Sequence, residues 1–439
     1  MVYAGQMQNR RTLTTTAVAS TLLFISCVDG FLKNTHGNTI FYVLKDFALL
    51  ALVVAMVFTL AVRPWERPKG KWQGLWAWGL YIGYMSVQVL NPGSGDIMSG
   101  IAGFRALVLF SVLFFVGAVY FTNPRRVSKT VNVAIACIMI PVAAGIFQAL
   151  APDTWNSLSP SLAVLSSRFT SYQSAGFGGL TTAFMRAYGT LVDPASLGLA
   201  SCVGFILAAG ALARARGFAR LILSLCLVAM ALALQLSGSR ASAAALGGGL
   251  LVFLILSWRH RSMRVPAILS LCIVLLAIPV ALKATGGLAG ARYQSDSLDY
   301  GSFTRKRSQR MVMMSLISHP FGNGLGSTGA GGRLNKKGVA APLLVDNLYY
   351  ATLYQTGVPG LIILIIFQGT FLALAIRGSK QAKTTETRTA YITLASVQTA
   401  LLVSGIWTQG PFFYAPVAQI FWLLSGIVAF PKRVEGETV

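Results

Sequence analysis

Residues 284–357 carry Arg292, Arg305, Lys306, Arg307, Arg310, Arg333, Lys336 and Lys337 against only Asp296, Asp299 and Asp346. Such an excess of cations suits a ligand with several negative charges, a lipid-linked phosphate or diphosphate among them. Contact with anionic lipid headgroups is the plainer use of the same lysines. Two further arginines, Arg186 and Arg240, stand where long apolar runs begin or end. A guanidinium can grip phosphate oxygens two at a time through its planar fork. At such places it can equally snorkel or close a structural ion pair. Other residues point to structure first. Asp193-Pro194 reads as a helix cap followed by proline at the first helical position. His319 before Pro320 reads as a helix end, although an imidazole could titrate near neutrality. Gly324-Leu325-Gly326-Ser327-Thr328-Gly329 has the spacing of a dinucleotide loop with no strand before it, so a flexible turn or a phosphate-facing nest of amides is expected. Neither a carboxylate pair nor a His/Cys cluster at metal-ligand spacing accompanies these residues, so no metal or cofactor is expected.

The elements that must position these residues are membrane helices. Of 439 residues, 55% are hydrophobic and only 11% charged, where a soluble domain has about a quarter charged. Apolar runs near 13–31, 39–62, 73–90, 102–121, 131–150, 193–213, 219–236, 241–257, 264–283, 358–376, 390–407 and 411–430 reach the roughly 17 to 25 residues a bilayer requires. In hydrocarbon the backbone must satisfy its own hydrogen bonds, and alternating strand patterns are absent, so the expected fold is all-α. It is a single polytopic membrane domain over 1–439 with about twelve transmembrane helices. The first run follows Arg10 and Arg11 and is read as a retained helix, not a signal sequence. Cys27, Cys137, Cys202, Cys226 and Cys272 fall in apolar runs and suggest no disulfide framework.

Basic residues gather in every second connection: Arg10/Arg11, Arg63/Arg67/Lys69/Lys71, Arg125/Arg126/Lys129, Arg214/Arg216/Arg220, Arg259/Arg261/Arg264, Arg377/Lys380/Lys383/Arg388 and Lys432/Arg433. The positive-inside bias therefore places both termini and these loops in the cytoplasm. Two long excursions, 151–192 and 284–357, remain outside, and loops of such length are usually functional or disordered. The second holds a helix-like run, Phe303 to Ser318, expected to lie along the membrane surface over the site.

Four motifs in this order resemble the bacterial O-antigen ligase and O-antigen polymerase superfamily of surface-polysaccharide enzymes. They are Arg186-Ala187-Tyr188-Gly189-Thr190 with Asp193-Pro194; Ser237-Gly238-Ser239-Arg240; Arg305 ahead of His319-Pro320 and Gly322, Gly324 and Gly326; and Asp346-Asn347-Leu348-Tyr349-Tyr350 leading through Gly357 and Gly360. The resemblance implies a membrane-embedded, GT-C-like glycosyltransferase of the bacterial inner membrane. It would work on the periplasmic side without metal or cofactor, and with inversion. Its donor would be a polyprenyl-diphosphate-linked glycan. The acceptor would be another lipid-linked glycan in a polymerase, or the lipid A core in a ligase. A chain-length regulator is a further implied partner, and nucleic acid is not. On this resemblance Asp346, Arg186 and Arg240 would be catalytic, with Arg305, Arg310, Arg105, Asn347 and Tyr350 binding substrate. Ligases carry a histidine in the last motif where this chain has Asp346, which favours the polymerase branch. Asp346 could also be no more than the N-cap of a helical run from Asn347 to Gln355. A transporter of lipid-linked glycan or of a small anion is the reading from another class. It would place ionisable groups deep in the spans, and helix interiors here are nearly free of charge.

The charge alternation makes a topological prediction. In a cysteine-free background, Asn335→Cys should react with an impermeant thiol reagent in intact cells, and Ser128→Cys should stay protected until the membrane is opened. The reverse labelling pattern would invert the orientation.

Overall fold

The computed structural model describes residues 19–33, 35, 40–62, 73–120, 124–174, 181–284, 300–328 and 345–429. Its first half contains α1 (residues 19–33), α2 (Ile40–Val62), α3 (Leu75–Val89), α4 (Ile97–Val108), α5 (Leu113–Tyr120), α6 (Pro124–Leu150), α7 (Pro152–Ser157) and α8 (Pro160–Phe169). The second half contains α9 (Pro194–Leu212), α10 (Phe218–Leu236), α11 (Arg240–Ser257), α12 (Arg261–Ala284), α13 (Tyr300–Ser318), α14 (Leu348–Gln381), α15 (Thr385–Ser404), α16 (Gly410–Phe413) and α17 (Val417–Val428). Within the described residues, the apolar runs expected to span fall on helices, with one exception. Among the described residues, 7 helices are long and apolar enough to cross a membrane. One of them, Ile97–Val119, joins α4 to α5 through a 3-10 turn at Leu109–Val112. The expected span 411–430 is instead broken: α16 ends at Phe413 and α17 starts at Val417.

Strands are not expected from the sequence, yet the first excursion folds back as an antiparallel pair, β1 (Thr170–Ser174) with β2 (Thr181–Met185). Thr170 stands opposite Met185 and Ser174 opposite Thr181. Five-residue strands are too short to declare a period of two, although their threonines and aromatics favour extended backbone. The pair delivers the chain directly to Arg186.

The bundle closes around α9, in which every residue but Ala195 is buried. α6, α10, α11 and α15 all pack on it. Lipid offers no hydrophobic drive between helices, so contact depends on small residues that let backbones approach. A β-carbon at Gly210 would stand 2.0 Å from Thr393 Oγ1, and one at Gly204 would stand 2.9 Å from Met230 Cε. At Gly198 it would meet Ser237 Oγ at 2.6 Å and Ser242 Oγ at 2.7 Å. Gly198 thus seats the short turn between α10 and α11 on the beginning of α9. A second packing centre is aromatic. Tyr81 of α3 stacks on Phe367 of α14 at 4.9 Å, and Phe412 of α16 meets Phe421 of α17 at 5.0 Å.

The glycine run after α13 is neither a flexible turn nor a phosphate nest, because its amides are already engaged. Leu325 N donates to the Gln88 carbonyl at 3.3 Å, and Gly326 N to Gln355 Oε1 at 2.9 Å. Gly322, Gly324 and Gly326 all have positive φ, near 80°, which glycine adopts at no steric cost. Any β-carbon at Gly326 would also strike the Ser99 carbonyl, 2.0 Å away. The segment is a plug between the α3–α4 connection and α14. It makes room for itself at Gly357, where α14 leaves helical geometry (φ 69°, ψ −170°) and Val358 N donates to the Pro320 carbonyl at 3.0 Å.

Gly198→Leu tests the seating of the α10–α11 turn. Overpacking of this kind costs about 1–3 kcal/mol. The variant should unfold at lower temperature in detergent and lose whatever function depends on Arg240. Unchanged melting would mean that this close approach does not hold the turn.

Candidate functional site

Arg186 reaches the site as the last link of a clamped segment. The Tyr188 and Gly189 amides both donate to Gln148 Oε1 of α6, at 2.9 and 3.0 Å. The Tyr188 ring is fully buried, and its hydroxyl donates to the Leu162 carbonyl at 3.2 Å and accepts from Trp155 Nε1 at 3.2 Å. Gly189 has φ 58° and a β-carbon position 2.3 Å from the Pro141 carbonyl, so only glycine fits. Phe31 N of α1 donates to the Thr190 carbonyl at 2.8 Å, and Thr190 Oγ1 donates to the Cys27 carbonyl. Four of the five motif residues therefore serve the fold, and Arg186 alone is left half-exposed with its charge toward the bundle end.

There it meets the turn that leads into the other arginine. Ala187 N donates to the Leu236 carbonyl at 3.0 Å, and Arg186 Nε donates to the Ser237 carbonyl at 2.9 Å. Ser237 opens the turn whose Gly238 has φ 57° and whose Ser239 caps α11, accepting from Ser242 N at 3.3 Å. Arg240 is the first residue of that helix. The two arginines, separated in sequence by two whole helices, thus flank one turn. The free amides of the α11 N-terminus add a partial positive charge beside them.

Asp193 caps α9 as the sequence suggests, accepting from Ser196 N at 2.8 Å with Pro194 behind it. Burial pushes its carboxyl up from the usual range, while the Ser196 amide and hydroxyl and the Arg186 charge work in the opposite direction. The Tyr414 hydroxyl lies within electrostatic reach of Asp193, Thr408 and Asp346. Asp346 in turn stands 3.6 Å from Arg305 Nε of α13, both side chains more than half exposed. Arg186, Asp193, Tyr414, Asp346 and Arg305 are thus linked through their electrostatic fields into one polar chain, in which Asp346–Arg305 is the ion pair. An exposed pair such as Arg305–Asp346 adds at most about 1 kcal/mol, so it orients the carboxylate more than it stabilises the fold. Sequence reasoning missed Tyr414 because it lay inside an expected span. Pro411 and Pro416 on either side of it were the available signal.

The cap of α14 is Asn347, not Asp346. Asn347 Oδ1 accepts from Tyr349 N at 2.8 Å and Tyr350 N at 3.0 Å, and its amide nitrogen donates to the Ile406 carbonyl. Both ends of its amide are committed to the fold, which accounts for Asn347 without a ligand. Asp346, one residue earlier, is released from capping and exposed. Tyr350 packs with Val312, Val345 and Leu353 where α13 lies against α14. Arg310 is exposed on α13 beside Lys306 and Arg307.

Arg105 is held by Asp46 of α2 in an ion pair, and the neighbouring Lys45 lies 3.3 Å from Asp29 of α1. Lys33 is 2.6 Å from the same Asp29 oxygen. Helices expected to be nearly free of charge therefore hold a small network in which two aspartates bind three cations. Beside the arginine turn, a groove of about 280 Å³ begins at Gln235 and Ala243 and runs between α10, α11 and α12 past Gly247, Leu250, Leu254 and Leu271.

Residues 225–365 match the family model described as O-antigen ligase. The match contains Ser237 to Arg240, Arg305 and Asp346 to Tyr350, and supports the resemblance to the O-antigen ligase and polymerase superfamily. Together with the apolar helices it makes the chain a multi-pass membrane protein. No curated protein matches the chain.

The division of labour between Asp346 and Asn347 is open to a direct stability measurement. Asn347→Ala should lower the melting temperature by removing a cap worth about 1 kcal/mol, and Asp346→Asn should leave it unchanged. Equal destabilisation by both would return Asp346 to a structural role.

Proposed function

We propose that this chain is a membrane glycosyltransferase of surface-polysaccharide synthesis that moves a glycan from polyprenyl diphosphate to a hydroxyl acceptor. The match over residues 225–365 supports a ligase- or polymerase-type activity. Within that range we favour polymerisation of lipid-linked repeat units, because Asp346 stands where ligases of the superfamily carry histidine. The observation that carries the reading is the pairing of Arg186 with the Ser237–Arg240 turn at one end of the bundle.

In the proposed step the acceptor oxygen bonds to the anomeric carbon of the donor from the face opposite the diphosphate. The carbon–oxygen bond to diphosphate breaks, and its electron pair leaves with the diphosphate oxygen. The sugar carbon is inverted. Charge therefore grows on the leaving group, where preorganised arginines stabilise the transition state more than the ground state. Arg186 and Arg240 would take this role through the bidentate fork that lysine lacks. The acceptor proton needs a destination, and the exposed Asp346 carboxylate, oriented by Arg305, is the candidate base. Arg310 and the other cations of α13 would draw in the lipid-linked anion. The groove past Gly247 would hold the first part of the polyprenyl tail, since its apolar wall starts beside the arginine turn. Gly247 suits a probe of that groove because a β-carbon there meets nothing within 4 Å.

Reconstitution with a radiolabelled lipid-linked repeat unit tests the reaction. A polymerase lengthens the glycan and frees polyprenyl diphosphate without added lipid A core, a ligase turns over only when that core is supplied, and a transporter releases nothing. Arg186→Ala or Arg240→Ala should cut turnover by on the order of a hundredfold or more, with lysine rescuing poorly. Asp346→Asn should lose turnover while donor still binds, and Gly247→Leu should raise the donor concentration needed. Normal product from both arginine variants would make these residues structural.

A further inference from the structure

At the other end of α11, about 27 Å from Arg240 by helical rise, the loop to α12 carries Arg259 and His260. A cavity of about 580 Å³ opens there between this loop and the facing ends of α14 and α15. Lys380 of α14 and Arg388 of α15 line it together with Arg259 and His260, and among the described residues no carboxylate does. Glu386, the acid nearest in sequence, sits 3.9 Å from Arg214 at the end of α9. Arg388 is fixed in place by donating through Nη2 to the Ala382 carbonyl at 2.6 Å. Apart from Ser379 the remaining wall is apolar: Ile255, Leu256, Ile376 and Ile392, with Ile255 60% exposed on the bundle surface.

A solvated basic loop would satisfy the positive-inside bias without bringing its cations together. Here four groups from three helix ends converge on a single concavity that continues onto an apolar helix face. We propose that this cavity binds a phosphate-bearing anion, and that its occupant is an anionic phospholipid of the leaflet opposite the arginine turn. The headgroup phosphate meets Arg259, Lys380 and Arg388, and an acyl chain lies along Ile255 and Ile376. Basic pockets between transmembrane helices capture acidic headgroups in this way. His260 reports the same field: burial, and then Arg388 and Arg259, hold its imidazole below the usual value. The apolar wall selects a lipid over free phosphate, which would leave those isoleucines without a partner. The site is remote from the proposed chemistry and does not depend on it.

The test uses the purified full chain in mild detergent, titrated with dioleoyl phosphatidylglycerol, dioleoyl phosphatidylcholine or inorganic phosphate. Bound lipid is counted by native mass spectrometry, and thermal unfolding is followed in parallel. Phosphatidylglycerol should be retained in preference to phosphatidylcholine and should raise the melting temperature. The double variant Arg259→Gln/Lys380→Gln should weaken retention by roughly fivefold for each cation removed. Arg216→Gln/Arg220→Gln, which removes exposed cations from the neighbouring α9–α10 connection, should leave retention unchanged. Equal retention of the two lipids, or equal losses in both double variants, overturns the site. Full stabilisation by inorganic phosphate alone overturns the phospholipid as its occupant.

Discussion

The close approach of small residues on α9 to four surrounding helices is the constraint on which the rest depends. In a bilayer such contacts cannot rely on expulsion of water, so packing distance decides which helices associate. Gly210 and Gly204 bring α15 and α10 into contact along the length of α9. Gly198 then sets the height of the α10–α11 turn, and Arg186 takes its hydrogen bond from that turn. A larger residue at Gly198 would therefore act on chemistry through the position of a carbonyl, without touching any ligand.

The second half of the molecule solves a different problem. α14 must start at the bundle end, where Asp346 is exposed, and continue through the apolar core past Phe367 and Phe371. The glycine plug after α13 enters at the bend. It satisfies its amides with Gln88, Gln355 and Tyr354, so the irregular backbone carries no orphaned donors at these positions. Such satisfaction is the condition for non-helical chain among membrane helices. The bend at Gly357 and the exposed position of Asp346 are parts of one arrangement: the plug fixes where α14 begins, and Asn347 caps that beginning.

Charge is distributed between the two ends with distinct purposes. At one end Arg186, Arg240 and Arg305 are accompanied by Asp193 and Asp346, so that positive potential is shaped by nearby acids and by Tyr414. At the other end Arg259, His260, Lys380 and Arg388 line a cavity with no acid on its wall among the described residues. Apart from both, Asp29 holds Lys33 and Lys45, and Asp46 holds Arg105, across α1, α2 and α4.

Sequence alone determined the apolar helices, because backbone hydrogen bonding and bilayer thickness act locally on composition. It also determined the Asp193-Pro194 cap, since a cap needs only the next three residues. The motifs carrying Arg186, Arg240, Arg305 and Asp346 were likewise legible as residues of chemical interest. Tertiary structure decided which of them meet. The bond from Arg186 to Ser237 crosses two entire helices, and no local periodicity encodes it. Structure also assigned the cap of α14 to Asn347, turned the glycine run from a nest into a plug and brought Tyr414 to the polar chain. Each of these depends on a backbone approach between distant segments, set by where glycines permit contact, and that distance is a property of the packed bundle.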